Sequence, residues 1–573
     1  MFEFKIIRDS HGKISHIETS LTGNDLLSTP KLNKGCAFSH EERELFHLTG
    51  LLPTDVETLE QQVTRMYMQF SEQTTNLGKN IYLNVLHDYN ETLFYKLVSQ
   101  HLEEMLPIIY TPTVGEAVQR FSLEHRKPKG LYISYEERHN IEKILDNRVP
   151  PEVDLTVVTD GEAVLGIGDQ GIGGINISNA KLMVYALCGG INPHRFLPIQ
   201  LDVGTNNLHL LNDPMYLGWR HERITGQAYD DFIDTFVKAI TKKFPGIFLH
   251  WEDFSRDNAR NILDRYRNKI CTFNGDMQGT GVVALSCVLA GVQASGIPLR
   301  NHRIVIMGAG TAGVGIADQI YDSLKREGFT EKEARSKIWL LDKSGLLTTQ
   351  SSLLSFQKPF ARDHQEVSPW EINHPDYIDL YDVVKNVKPT ILIGASTVAG
   401  AFNETIVRMM ANEIERPIIM PLSNPNSLSE ARPEDLLKWT NAKAIIATGS
   451  PFPDVNHENK LYRIAQSNNA FAFPGIGLGA IAVKAKHITD EMLYAATLAL
   501  TACSPSAQDK TAPILPKLSD SKLISFHVAL AVADQARKQG LARIPEHVNL
   551  EEVIRNTIWE PRYYPYRLAT RSR

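Results

Sequence analysis

Two successive series of short apolar runs, each stopped by glycine or aspartate and followed by a helical stretch, restrict this chain to a small set of folds. The first series comprises LTVVTDG (155–161), FLPIQLDVG (196–204) and GIFLHWEDF (246–254). The second runs through RIVIMGAG (303–310), KIWLLD (337–342), PTILIGAS (389–396), PIIMPLSN (417–424) and AIIATGS (444–450). Near-continuous apolar strands alternating with helices are the pattern of parallel sheets covered on both faces. The chain therefore reads as α/β, with two doubly wound parallel-sheet domains in tandem.

Ahead of them, LEQQVTRMYMQF (59–70) and NETLFYKLVSQHLEEM (90–105) space apolar residues three and four apart, which predicts a helical N-terminal domain. After Gly479 the chain turns helical again. It ends in WEPRYYPYRLATRSR, whose Arg562, Arg567, Arg571 and Arg573 form a basic tail expected to fray or to strap a neighbouring subunit. The expected boundaries are a helical domain over 1–129, a substrate and metal domain over 130–279 with 468–540, a nucleotide domain over 280–467, and a tail over 541–573.

Charge narrows the partners. Sixty Lys and Arg against 66 Asp and Glu leave a net charge of −6, spread evenly, which argues against nucleic acid or an anionic membrane and for small metabolites. No apolar run approaches the roughly 18 residues that span a bilayer. The N-terminus carries neither a signal nor a transit pattern, and the five cysteines are odd in number without a Cys-x-x-Cys pair, so reduced thiols and a cytoplasmic location are expected.

Gly308-x-Gly310-x-x-Gly313 follows RIVIM directly and opens a segment with Val314, Ala317, Ile320, Tyr321 and Leu324 at helical spacing. In strand, turn, helix order the first glycine permits the turn, the second lets backbone approach a pyrophosphate, and the third lets helix and strand pack. Asp342, at the end of the next run, suits the ribose hydroxyls of NAD and would repel the 2′-phosphate of NADP. Gly166-x-Gly168-x-x-Gly171 matches the same pattern, but the Asn- and Ser-rich INISNA after it is a poorer helix start. It reads instead as a glycine loop that brings backbone close to a substrate.

Glu252 and Asp253 close the run GIFLHW, and Asp276 lies in TFNGDMQGT. Carboxylates at the ends of parallel strands project into the crevice where α/β proteins bind ligands. Adjacent residues of a regular strand face opposite ways, so Glu252 and Asp253 can share one ion only where the strand breaks up. An all-oxygen set suits Mg²⁺ or Mn²⁺. By the same reading His250 is packed rather than ligating.

PIIYTPTVGEA (107–117), VVTDGEAVLGIGDQGIGG (157–174), DVGTNN (202–207), WEDF (251–254), FNGDMQGTG (273–281), LSNPN (422–426) and NNAFAFPGIGLG (468–479), in this order, resemble the malic enzyme family over nearly the whole chain. The resemblance implies metal-dependent oxidative decarboxylation of L-malate to pyruvate with NAD, by a homodimer or homotetramer. It implies that Glu252, Asp253 and Asp276 hold the metal, that Lys181 is the general base and Tyr110 the general acid, and that Asn424 and Asn469 hold substrate and nicotinamide. Burial and the nearby cation are expected to disfavour the charged form of Lys181.

Four positions depart from or qualify the pattern. Ala163 stands where malic enzymes carry an arginine that grips malate, a loss of roughly 1.5–3 kcal/mol if nothing replaces it. Gly275 stands where the family has a further aspartate, and Tyr89 where some animal relatives activated by fumarate have arginine. Gln357 falls near the site of a phosphate-binding lysine in NADP-using relatives, which again favours NAD. LHWEDF, KPFAR and GASTVAGAF are similar to the malolactic relatives, so lactate is the alternative product, and a nucleotide-binding protein impaired at Ala163 and Gly275 is the remote one.

Overall fold

The computed structural model describes residues 4–9, 14–147, 152–374 and 377–569. All eight apolar runs are strands. Leu155–Thr159, Phe196–Asp202 and Phe248–Trp251 join Leu131–Ser134 and Thr272–Asn274 in a five-stranded parallel sheet, in the spatial order 131, 196, 155, 248, 272 by first residue. The second sheet has seven strands. It runs Gly345–Leu346, Ile338–Asp342, Ile304–Met307, Ile391–Gly394, Ile418–Pro421, Ile445–Thr448, Ala465–Gln466 and is parallel except for the antiparallel Gly345–Leu346 edge.

Both sheets are covered on two faces because successive side chains alternate. Leu155 and Val157 pack into the core shared with the Ile175–Gly189 helix, whereas Val158 packs with Phe232 and Phe236 of the Gly226–Lys243 helix. In the second sheet Ile304 and Ile306 face the Thr311–Arg326 helix, and Val305 packs with Val383 and Val407 on the other side.

One helix, Gly275–Ser295, joins the sheets and carries Asp276 in its first turn. With a mean hydropathy of 1.4 it is long and apolar enough to cross a membrane by length and composition, contrary to the expectation from the sequence, where Asp276, Gln278 and Thr280 interrupt the run. Its most apolar stretch is 78% buried inside the protein. Glycine admits the neighbours: a Cβ at Gly281 would lie 2.7 Å from Gln319 Cγ, and one at Gly291 2.9 Å from Ile418 Cδ1.

The first domain is not wholly helical. Phe4–Arg8 and Ile14–Thr19 form a hairpin, and Tyr566–Leu568 of the C-terminal tail adds a third strand, parallel to Ile14–Thr19. Up to residue 569 the tail is therefore not frayed but paired with a strand of its own chain; Arg571 and Arg573 lie outside the described residues. Tyr566 anchors it. Its ring packs with Phe38 and Phe46, its hydroxyl donates to the Leu32 carbonyl at 3.0 Å, and the Lys34 ammonium sits 3.9 Å from its ring centre. Replacing Tyr566 with alanine should cost about 3–5 kcal/mol, the scale of a buried aromatic truncation, read as a lower urea midpoint in equilibrium unfolding. An unchanged midpoint would show that the tail strand does not contribute to the fold.

Candidate active site

The C-terminal ends of strands from both sheets meet around one cleft of about 280 Å³. Glu252 and Asp253 reach it from the Phe248–Trp251 strand, Ala395 and Thr397 from Ile391–Gly394, and Ser423 and Asn424 from Ile418–Pro421. Tyr110, Asp276 and Asn469 complete the wall. This is the crevice that parallel α/β sheets offer to ligands.

The strand does break up where two adjacent acids need to converge. After Trp251 the backbone turns, and Asp253 adopts φ 59°, a left-handed conformation costly for a residue with a side chain. Asp276 arrives on a π-helical turn, Gly275–Gly279, whose backbone is held by the side chain of Asn274, which accepts from Met277 N at 2.8 Å. Such turns recur at functional sites. Asp276 Oδ2 accepts from the Asp253 N–H at 2.9 Å, and one oxygen from each of Glu252, Asp253 and Asp276 lies within 4.8 Å of the others.

Burial, with Asp276 and Glu252 alongside, pushes the Asp253 carboxyl far above its ordinary range. Burial and Glu252 push Asp276 up to about 7. Glu252 goes the other way: burial alone would raise it, but Lys181 and His250 stabilise its ionised form. Asp253 Oδ2 is buried with no hydrogen-bond partner. Clustered hard oxygens, one of them unsatisfied, fit a divalent cation such as Mg²⁺ or Mn²⁺.

Lys181 lies on the Ile175–Gly189 helix, fully buried, with Nζ 2.9 Å from Glu252 Oε1 and within 5.3 Å of the Tyr110 ring centre. Burial opposes its charge, but Glu252, Tyr110 and Asp276 outweigh it and raise its pKa. The carboxylates that face it favour its charged form. The Tyr110 hydroxyl, pushed well above the usual phenol range by burial, donates to Asn469 Oδ1 at 3.3 Å.

The Gly308 motif forms a tight strand-to-helix turn beside this cleft. A Cβ at Gly313 would collide with the Gly308 carbonyl oxygen, and one at Gly308 (φ 109°) with that of Ala395. Above Gly310 only the Arg256 side chain comes near, 3.6 Å from where a Cβ would stand, so backbone at the start of the Thr311–Arg326 helix lies open to a phosphate. Asp342 ends its strand as expected, and buried Gln357 donates to both Asp342 Oδ2, at 2.9 Å, and the Ala309 carbonyl, at 2.8 Å, tying the acid to the turn. The residues present fit NAD.

The Gly166 motif does enter a helix, through a 3₁₀ turn at Gly171–Gly174, contrary to the poorer start read from INISNA. Its loop nevertheless serves the cleft, which Ala163, Leu165 and Gly166 line.

Family models describe residues 87–267 as a malic enzyme N-terminal domain and 277–537 as a malic enzyme NAD binding domain. NAD-dependent malic enzyme 3 of Bacillus subtilis is 50% identical over 555 residues, covering 96% of this chain and 98% of that protein. The chain belongs to the malic enzyme family. NAD-dependent malic enzyme of Proteus mirabilis is likewise 50% identical, over 95% of this chain and 96% of its own. Among solved malic enzymes, that of Entamoeba histolytica superposes with a TM-score of 0.54 at 23% identity, over 89% and 90% of the two chains. That of Pyrococcus horikoshii gives 0.51 at 25% identity, over 80% and 88%.

For a malic enzyme site, two features escape the sequence. Thr397 lines the cleft at φ 57°. Arg256 follows Glu252 and Asp253 in sequence yet stands over the Gly310 turn, with Nη1 3.9 Å from Asp342 Oδ2. No motif marks either, because each acquires its place only when the two sheets meet. Substituting alanine at Gly313, where a methyl has no space, should abolish NADH binding as read by nucleotide fluorescence, while Gly310→Ala should be milder. Unimpaired binding by the Gly313 variant would exclude this turn.

Proposed function

We propose that the protein catalyses oxidative decarboxylation of L-malate to pyruvate and CO₂ with reduction of NAD. The observation that carries the reading is the convergence of three buried acids and Tyr110 on one cleft, with Lys181 against Glu252 and a glycine turn alongside. The names of the two bacterial relatives favour pyruvate over lactate as the product. When bound, a divalent cation at Glu252, Asp253 and Asp276 supplies polarisation of the malate C2 oxygen and offsets the carboxylate charge that otherwise holds Lys181 protonated, while NAD supplies the hydride acceptor.

Lys181, in its neutral form, accepts the C2 hydroxyl proton through Nζ. Tyr110 stays protonated until carbanion character develops at C3, then delivers its hydroxyl proton there, oriented by Asn469. Asn424, whose Oδ1 accepts from the Ser450 hydroxyl, presents its carboxamide to the substrate and nicotinamide side. Ala163 lines the cleft and donates its backbone N–H to the Asp253 carbonyl at 3.1 Å, so its side chain brings no cation to malate.

Incubation with L-malate, Mn²⁺ and NAD should yield NADH and pyruvate in equal amounts, with a higher kcat/KM for NAD than for NADP. Lactate without NADH, or no malate consumed, would overturn the reading. Asp276→Ala should lower kcat at least about 10²-fold, as expected for a group that holds the central charge. Fed oxaloacetate, Lys181→Ala should still decarboxylate, whereas Tyr110→Phe should stall at ketonisation; equal loss of both partial reactions in both variants would refute the division of roles. We further propose a homodimer or homotetramer, checked by light scattering.

A further inference from the structure

A buried chain of polar contacts runs through Glu252. The Tyr185 hydroxyl lies 2.7 Å from His250 Nδ1, His250 Nε2 lies 2.8 Å from Glu252 Oε2, and Glu252 Oε1 faces Lys181 Nζ at 2.9 Å. An ionised carboxylate can only accept, so Nε2 carries the hydrogen. The Tyr185 hydroxyl meets the other ring nitrogen, Nδ1. Phe273 and Phe473 pack edge-on against the ring, at 5.2 and 5.8 Å between centres, and fix its plane. Each oxygen of Glu252 therefore has one assigned partner.

Gly275 is the other half of this arrangement. A Cβ there would collide with both Glu252 Oε2 and His250 Nε2. In this geometry a side chain at 275 and the His250–Glu252 hydrogen bond exclude each other. The aspartate that the resemblance places at 275 would add negative charge beside the three acids; here an imidazole contacts Glu252 instead.

We propose that His250 and Gly275 act as one unit that orients Glu252 for the divalent cation, with His250 a positioning residue for the metal site. The proposal rests on the reading of Glu252, Asp253 and Asp276 as the cation's ligands. Partners of this kind fix a ligand's direction and typically contribute 10–100-fold to metal affinity.

The test is a titration of the full-length protein with Mn²⁺ alone, followed by the electron paramagnetic resonance signal of the free ion, without malate or NAD. His250→Phe and Gly275→Ala should each weaken Mn²⁺ binding by about 10–100-fold. The double variant should bind no worse than the weaker single, because both changes break the same contact. His250→Gln, whose amide N–H can replace Nε2–H, should retain most of the affinity. NADH affinity and thermal midpoint should stay at their unaltered values in all of them.

Full Mn²⁺ affinity in His250→Phe, additive losses in the double variant, or a parallel fall in NADH affinity and thermal midpoint would overturn the proposal while leaving the metal ligands standing. Failure of the unaltered protein to bind Mn²⁺ would overturn the ligand assignment itself, and this unit with it. If the phenylalanine variant does not fold, Gly275→Ala and His250→Gln decide the matter.

Discussion

Three carboxylates forced together out of water, with a buried ammonium against one of them, are the constraint around which this molecule is arranged. Like charges within 4.8 Å of one another in a dry site repel strongly and are poorly solvated, a combination that costs stability unless a counter-charge is supplied. The fold bears that cost through devices placed at the acids themselves. The strand ends at Trp251 and Asp253 takes a left-handed conformation, the helix that follows Asn274 begins with a π turn, and Lys181 is held inside a helix that has almost no exposed face. Clustered hard oxygens of this kind fit a divalent cation.

The rest of the architecture delivers partners to this point. Parallel sheets put every strand's C-terminal end on one edge, and setting two such edges against each other brings Glu252 and Asp253 opposite Thr397, Ser423 and Asn424. Both glycine motifs work at this junction. The Gly308 turn packs against Ala395 so tightly that no side chain fits, and leaves Gly310 facing only the Arg256 side chain. The Gly166 loop lays its backbone on the cleft wall, 3.7 Å from the Asn424 carbonyl and the Thr397 methyl for a Cβ at that glycine. Two loops with the same spacing thus hold different parts of one reaction.

Much of this was legible in the residues. Central parallel strands are buried on both faces, so LTVVT, RIVIM and PTILIG stand out as apolar runs whatever lies around them. The three acids could be named because each follows or lies near such a run, and the family resemblance identified Lys181 and Tyr110. Other elements were not visible. The Phe4–Arg8 and Ile14–Thr19 hairpin takes its third strand from Tyr566–Leu568 at the far end of the chain, and no local pattern encodes a partner that distant. The Gly275–Ser295 helix hid its length because three polar residues near its start break the apolar run.

The order of strands and helices and the tight glycine turn ahead of the Thr311–Arg326 helix were determined by the sequence itself, because hydrophobic period and glycine spacing are local properties. The surroundings of Lys181 and the space that Gly275 leaves for His250 were decided only by the tertiary structure. Each depends on distances between residues far apart in the chain. Burial opposes the charge of the lysine, and carboxylates from two different segments favour it. A glycine that looks like a lost aspartate proves to be the space in which a histidine and a glutamate meet.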